Sequence, residues 1–281
     1  MRDPTRPALR PIDLLILAYL LVASVVVATR LERQPGGWWL LGAHLLIVAL
    51  IALLARPGLG RLGRAVREVY PLVLLVGLYS ALDVMNGGGA AHVHDATVQR
   101  WEAALFGGQP SRDWWAAHPS GFWSLVLHGA YLAYYFIVAA PAVVFAARRQ
   151  LPALRGYVVA VIVAFLTCYL FFILFPVAGP YYAFPRPTGP FVQNVTARLV
   201  YATLAVGSSY GAAFPSSHVA ASVAATGASF RGSRALGLAL LPLTVLLVVS
   251  VVYCQMHYAV DALAGLVVGV GALATAARLQ A

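Results

Sequence analysis

The chain of 281 residues is 61% apolar and only 10% charged, with a mean hydropathy of +0.82, which excludes an ordinary soluble domain and indicates a polytopic helical membrane protein. Its formal charge of +10 comes from arginine alone, since lysine is absent. The arginines stand in short stretches between apolar runs, which reads as a topology signal and not as a nucleic-acid surface.

Eight apolar segments follow one another at 12–29, 38–55, 69–86, 121–146, 156–176, 212–230, 235–254 and 258–277. Each is close to the length of a membrane-crossing helix, so the expected fold is all-α, a transmembrane helical bundle of about eight spans. Arg2, Arg6 and Arg10 precede the first segment, and Arg56, Arg61, Arg64 and Arg67 separate the second from the third. Arg148, Arg149 and Arg155 follow the fourth, and Arg231, Arg234 and Arg278 fall on the same side if the spans alternate. The positive-inside rule then makes both termini cytoplasmic in an integral membrane protein, with the opposite face periplasmic if the membrane is a bacterial inner membrane. The first segment lacks a small-residue cleavage site and reads as a retained span. His44, in the second, is assigned no role.

Three regions are expected: N-terminal helices over 1–86, an outward interfacial segment over 87–120, and a core over 121–281. The middle region opens with Gly87-Gly88-Gly89, and its Val98, Trp101, Leu105 and Phe106 share one helical face suited to lying flat at the interface. Trp114, Trp115 and Trp123 extend an aromatic belt. His92, His94 and Asp95 read as polar turn residues better than as a metal site, because a further good ligand is missing nearby. Asp83 and His128 either shape a headgroup pocket or satisfy hydrogen bonds inside the bundle. Cys168 and Cys254 have no metal-type spacing and read as apolar filler. Prolines at 176, 180, 185 and 187 stop the fifth span and favour a rigid extended rim. Asn194-Val195-Thr196 matches a glycosylation sequon.

Two motifs carry the chemistry. Phe214-Pro215-Ser216-Ser217-His218 opens one span, and His257-Tyr258-Ala259-Val260-Asp261 opens another after a return crossing, so both histidines emerge on one face. Pro215 sets a helix start near Ser216 and Ser217, whose hydroxyls and free N–H groups can hold an anion. His257 and Asp261, four apart, share a helix face, and the carboxylate can fix the imidazole tautomer. For phosphoryl transfer the roles are His257 as nucleophile, Asp261 as its orienter and His218 as the acid that protonates the departing alkoxide.

These residues resemble the type 2 phosphatidic acid phosphatase superfamily, which includes the vanadium haloperoxidases. Phe214 to His218 is similar to its second signature, and His257 with Asp261 to its third. Gly179-Pro180-Tyr181-Tyr182 is closer to the first motif of the inositol phosphorylceramide synthase branch, and Asp83, Phe106 to Pro110, Tyr131, Tyr134 and Tyr135 also resemble that branch. The resemblance implies a six-helix catalytic core and metal-independent cleavage of a lipid-linked phosphate, with no cofactor. It also implies membrane lipids as partners and a polyol or lipid hydroxyl as a possible acceptor.

The superfamily's phosphate-binding lysine is missing here, and Val251 stands where an arginine precedes the third-signature histidine. Arg186, Tyr181 and Tyr182 are the candidate replacements beside Ser216 and Ser217, with Asp83, His128 and Tyr135 as candidate pocket residues. Two other readings remain at this stage: a metal-dependent membrane hydrolase, since two histidines and a carboxylate can form a metal triad, and an inactive lipid-binding or transport protein.

Overall fold

The computed structural model describes residues 9–34, 36–87 and 92–280; Arg2, Arg6, Gly88 and Gly89 lie outside them. The helices in chain order are α1 (Pro11–Thr29), α2 (Gly37–Leu54), α3 (Arg61–Met85), α4 (Asp95–Phe106), α5 (Pro110–Ala117), α6 (Gly121–Ala147) and α7 (Leu151–Leu174). A short α8 (Pro180–Ala183) and a 3₁₀ turn (Gly189–Val192) lead to α9 (Val195–Gly207), α10 (Ser217–Gly232), α11 (Arg234–Tyr253) and α12 (Ala259–Gln280). No strand occurs among the described residues; the only extended pairing there is an isolated parallel bridge between Val177 and Ala212.

Among the described residues seven helices are long and apolar enough to cross a bilayer, which makes this an integral membrane protein. The eighth expected span is shorter than the sequence suggests. Its segment is helical only over the 16 residues of α10, about 24 Å at 1.5 Å per residue. The preceding residues are committed to extended backbone: Val177 N–H donates to Gly211 O and Ala213 N–H to Val177 O, at 3.1 and 2.9 Å. The third span, in contrast, begins eight residues before its expected start at 69, because Arg61 to Glu68 continue its helical turns outside the apolar run.

α7 is the centre of the bundle. Of its apolar window 72% is buried, against 22–44% for the other six, as expected of a helix that is apolar on every side. α10 and α12 approach closely beside it. Their contact is built from Ala220, Ala224 and the glycines of α12, so a Cβ on Gly265 would stand 2.6 Å from Ser216 O and one on Gly269 2.8 Å from Ala220 O.

Because the spans alternate, the starts of α1, α3 and α7 lie at one end of the bundle with the ends of α6 and α10. The ends of α3 and α7 lie at the other, with the starts of α10 and α12. At this second end Arg30 donates to Met85 O and Ile173 O, at 2.9 and 3.1 Å, and so serves the terminal carbonyls of α3 and α7.

Candidate active site

The two motifs meet at the second end. Ser216 is the N-cap of α10, its Oγ accepting from Val219 N–H at 3.4 Å, and its own N–H donates to Asp261 O at 3.0 Å. That backbone bond locks the start of α10 to the first turn of α12 and brings the imidazoles of His218 and His257 to a centroid separation of 5.7 Å. Ser217, the first helical residue, is buried beside them.

The partner of His257 differs from the expected one. Its Nδ1 lies 3.0 Å from Ala213 O, and the Asp261 carboxylate stands farther off at 3.5 Å. A carbonyl oxygen only accepts, so Nδ1 carries the proton and Nε2 keeps its lone pair. Asp261 is fully buried; its Oδ2 accepts from Tyr258 N–H at 2.8 Å, while Oδ1 has no hydrogen-bond partner among the described residues. The carboxylate thus supports the imidazole electrostatically, and a backbone carbonyl sets its tautomer.

A cavity of about 700 Å³ opens in front of the two histidines. Asp83, Tyr135, Tyr181, Tyr182, His218 and His257 are among the residues that line it, together with Tyr79, Tyr131 and Tyr134. His218 packs between two of these rings, 4.8 Å from Tyr131 and 4.4 Å from Tyr134, and its Nδ1 lacks a hydrogen-bond partner among the described residues. No arginine stands among the described lining residues.

Other expected site residues lie elsewhere. Arg186 is exposed and rests over the Tyr181 ring at 4.2 Å, and it is not among the described lining residues. His128 is off the cavity: it is fully buried on α6 with Nδ1 near Ser124 O and Ser124 Oγ, at 2.8 and 3.0 Å, and packs on Phe191. It and Asp83 do not pair; the neighbouring turn of its own helix supplies its partner. Asn194 of the sequon caps α9.

Several supporting residues have weak sequence signals. Asp95 holds the rim, accepting from Ala178 N–H at 2.8 Å, Gly179 N–H at 2.9 Å and Tyr258 Oη–H at 2.9 Å. His94 lies flat on Phe175 at 4.2 Å. Gln255 donates to Pro185 O at 3.0 Å and accepts from Trp115 Nε1–H at 2.7 Å, tying the rim to α5. Glu102, on the same face of α4 as Val98, is fully buried and accepts from Ala259 N–H at 2.6 Å, at the first residue of α12. Burial pushes its carboxyl up to about 7, the Ala259 bond opposes this, and the nearby Asp261 charge adds to it. A glutamate at i+4 from Val98 on an apolar face was the one available signal. Among the described residues no cluster of three or more His, Cys, Asp or Glu side chains is arranged to hold a metal ion.

A family model described as the PAP2 superfamily matches residues 96–275. No curated protein and no solved structure matches the chain.

Proposed function

Since the chain belongs to the PAP2 superfamily and is an integral membrane protein of phosphatase type, we propose that it cleaves a lipid-linked phosphate through a phosphohistidine. The observation that carries this reading is the pairing of His218 and His257 on one cavity wall, with Nε2 of His257 left free by the Ala213 contact.

In the first step His257 Nε2 forms a bond to phosphorus as the ester P–O bond breaks, and His218 delivers its proton to the departing alkoxide. The Asp261 carboxylate stabilises the charge that grows on the imidazole. In the second step the oxygen of water or an alcohol bonds to phosphorus as the P–N bond to His257 Nε2 breaks, and His218 takes the proton of the attacking hydroxyl. Free N–H groups of the first turn of α10, at His218 on the cavity wall, meet the phosphoryl oxygens; the expected Ser216 and Ser217 are buried and are not among the described lining residues.

We take the transferase reading before the plain phosphatase. With no guanidinium or ammonium group among the described lining residues, the cavity suits the single charge of a phosphodiester better than the double charge of a phosphomonoester. A lipid or polyol hydroxyl is then the acceptor. The arginine distribution supports cytoplasmic termini and a site on the outer face, periplasmic in a bacterial inner membrane.

Trapping tests the mechanism. Incubation with a lipid labelled at phosphorus, followed by acid and base treatment of the denatured chain, is expected to leave a base-stable, acid-labile label that His257→Ala lacks. Equal labelling of the variant would remove His257 as nucleophile. Vanadate, whose five-coordinate form resembles the transition state, is expected to compete with substrate.

A further inference from the structure

The cavity that holds His218 and His257 does not end at them. Its lining continues along α3 and α6, which both pack on α7. On α3 it takes in Leu72, Leu75, Val76, Tyr79, Ser80 and Asp83, spaced by three and four so that they form one stripe of the helix. On α6 the stripe starts with Tyr131, Tyr134 and Tyr135 and goes on through Val138, Ala139, Ala142 and Val143. The two helices run in opposite directions, so Asp83 and Tyr131 stand at the histidine end and Leu72 and Val143 at the far end. Tyr157 of α7 also lines the far part, and its hydroxyl donates to Val138 O, which ties α7 to α6 there.

Both stripes change character in the same direction. Asp83, Ser80 and Tyr79 face the histidine end with polar groups, while the α3 and α6 positions beyond them are leucine, valine and alanine. Among the described lining residues no Arg, Asp or Glu lies beyond Asp83. The groove is open along one side, where Val76, Tyr135 and Val143 are 73%, 55% and 66% exposed, and in a bilayer that side meets lipid. From Asp83 to Leu72 and from Tyr131 to Val143 the stripes are about 17 and 18 Å long at 1.5 Å per residue. One leaflet's half of a hydrocarbon core about 30 Å thick is about 15 Å. An occupant that is polar at the histidines and apolar over such a length is a lipid; a soluble phosphoester would answer only the first part, and an apolar helix only the second.

We propose that this groove receives an acyl chain of the lipid whose phosphate meets His257, and that Ala139 and Ala142 set the width that admits it. Only the place of the phosphate rests on the phosphoester reading. Lipid tails are as apolar as these walls, so the groove adds little affinity. Its effect is to fix the depth and direction from which the phosphorus approaches Nε2.

The test reads position without turnover. The full chain carrying His257→Ala, in a neutral maltoside detergent with a few lipids per chain, is irradiated with a phosphatidylglycerol that bears a diazirine at the end of one palmitoyl chain, and the labelled peptides are identified by mass spectrometry. Label is expected at least fivefold more on residues 72–76 and 139–143 than on 263–270 of α12, whose Leu263, Val267 and Val270 are exposed and off this cavity. Moving the diazirine next to the glycerol is expected to move the label to Tyr79, Tyr134 and Tyr135. Ala142→Phe and Ala139→Phe are each expected to lower the deep label at least threefold; Ala139 is exposed, so its variant keeps the test sound if crowding the half-buried Ala142 unfolds the chain. Val267→Phe, an equal addition on α12, is the control and is expected to change nothing. Equal label on the groove and on α12, a pattern that ignores the position of the diazirine, or deep label untouched by both alanine variants would each overturn the proposal. So would a dimer in native mass spectrometry that Ala139→Phe dissolves, which would give the groove to a second copy. Groove labelling without a phosphohistidine in the wild type would remove the mechanism alone, and a phosphohistidine with uniform labelling would remove the groove alone.

Discussion

The cavity in front of the histidines and a second one, lined by Arg10, Arg64, Arg67, Glu68 and Arg155, are similar in volume and share α3 and α7, yet their polar groups are chosen differently. The arginine cavity gathers long cationic side chains, one of them paired with Glu68, over an apolar floor, so its charge is permanent. The histidine cavity offers imidazoles, tyrosines and a helix N-terminus, groups held rigidly by backbone bonds such as Ser216 N–H to Asp261 O. Fixed dipoles and a neutral nucleophile favour charge as it moves between bonds. The two cavities thus differ in kind, although their walls come within one residue of each other on α3, at Pro71 and Leu72.

The largest effect that can break this division is at His218. His218→Ala is expected to lower kcat on a lipid phosphoester by about 10²–10⁴-fold, the usual contribution of a positioned acid and base. The loss is smaller on a p-nitrophenyl phosphoester, whose leaving group needs no proton. Tm in detergent should be unchanged; a parallel fall in both would mean that the variant is misfolded.

Asp261→Asn sharpens the account of the histidine end. Where a buried carboxylate alone fixes the tautomer, its amide variant loses about 10⁴-fold. Here Ala213 O already accepts from Nδ1, and we expect a loss in kcat of only about 10- to 100-fold, with KM unchanged. A loss as large as that of His257→Ala would make the carboxylate, and not the carbonyl, the group that sets the tautomer.

Much of this was legible in the residues. Proline before two serines marked the start of α10, and the alternation of spans put His218 and His257 on one side. What escaped was contributed by backbone or by distant side chains. Ala213 O reaches His257 only because the segment before α10 is extended, which an apolar run at 212–230 conceals. Glu102 and Asp95 act on partners more than 80 residues away. His128 carries the same side chain as His218 and His257, but a serine one turn earlier absorbs it into the bundle. Arg10, Arg64, Arg67 and Arg155 each mark membrane sidedness in the sequence; only the packing of α1, α3 and α7 turns them into a cavity.

The close contact of α10 and α12 gives a stability test of the histidine end. Gly265→Ala forces a Cβ to within 2.6 Å of Ser216 O and 3.0 Å of Val219, both part of the first turn that carries His218. A cost of about 1–3 kcal/mol is expected, seen as a lower Tm in detergent together with reduced turnover. Gly77→Ala on α3, whose Cβ meets nothing within 4 Å, should leave both unchanged. Equal effects of the two substitutions would mean that helix packing here is loose enough to absorb a methyl group.

The smallest effect concerns Glu102, which anchors α4 to the start of α12. The folded chain keeps its proton up to about pH 7, whereas an unfolded chain releases it near the ordinary glutamate value of 4.5. Between these values the unfolded state binds fewer protons, so stability falls as pH rises through that window. Above it the buried carboxylate is ionised, with Ala259 N–H on one oxygen and no partner for the other among the described residues. Glu102→Gln keeps an acceptor for Ala259 and removes the titration. The wild type should therefore lose more Tm than the variant between pH 5 and pH 8. Parallel curves would assign the pH dependence to other groups and leave Glu102 as a simple hydrogen-bond acceptor.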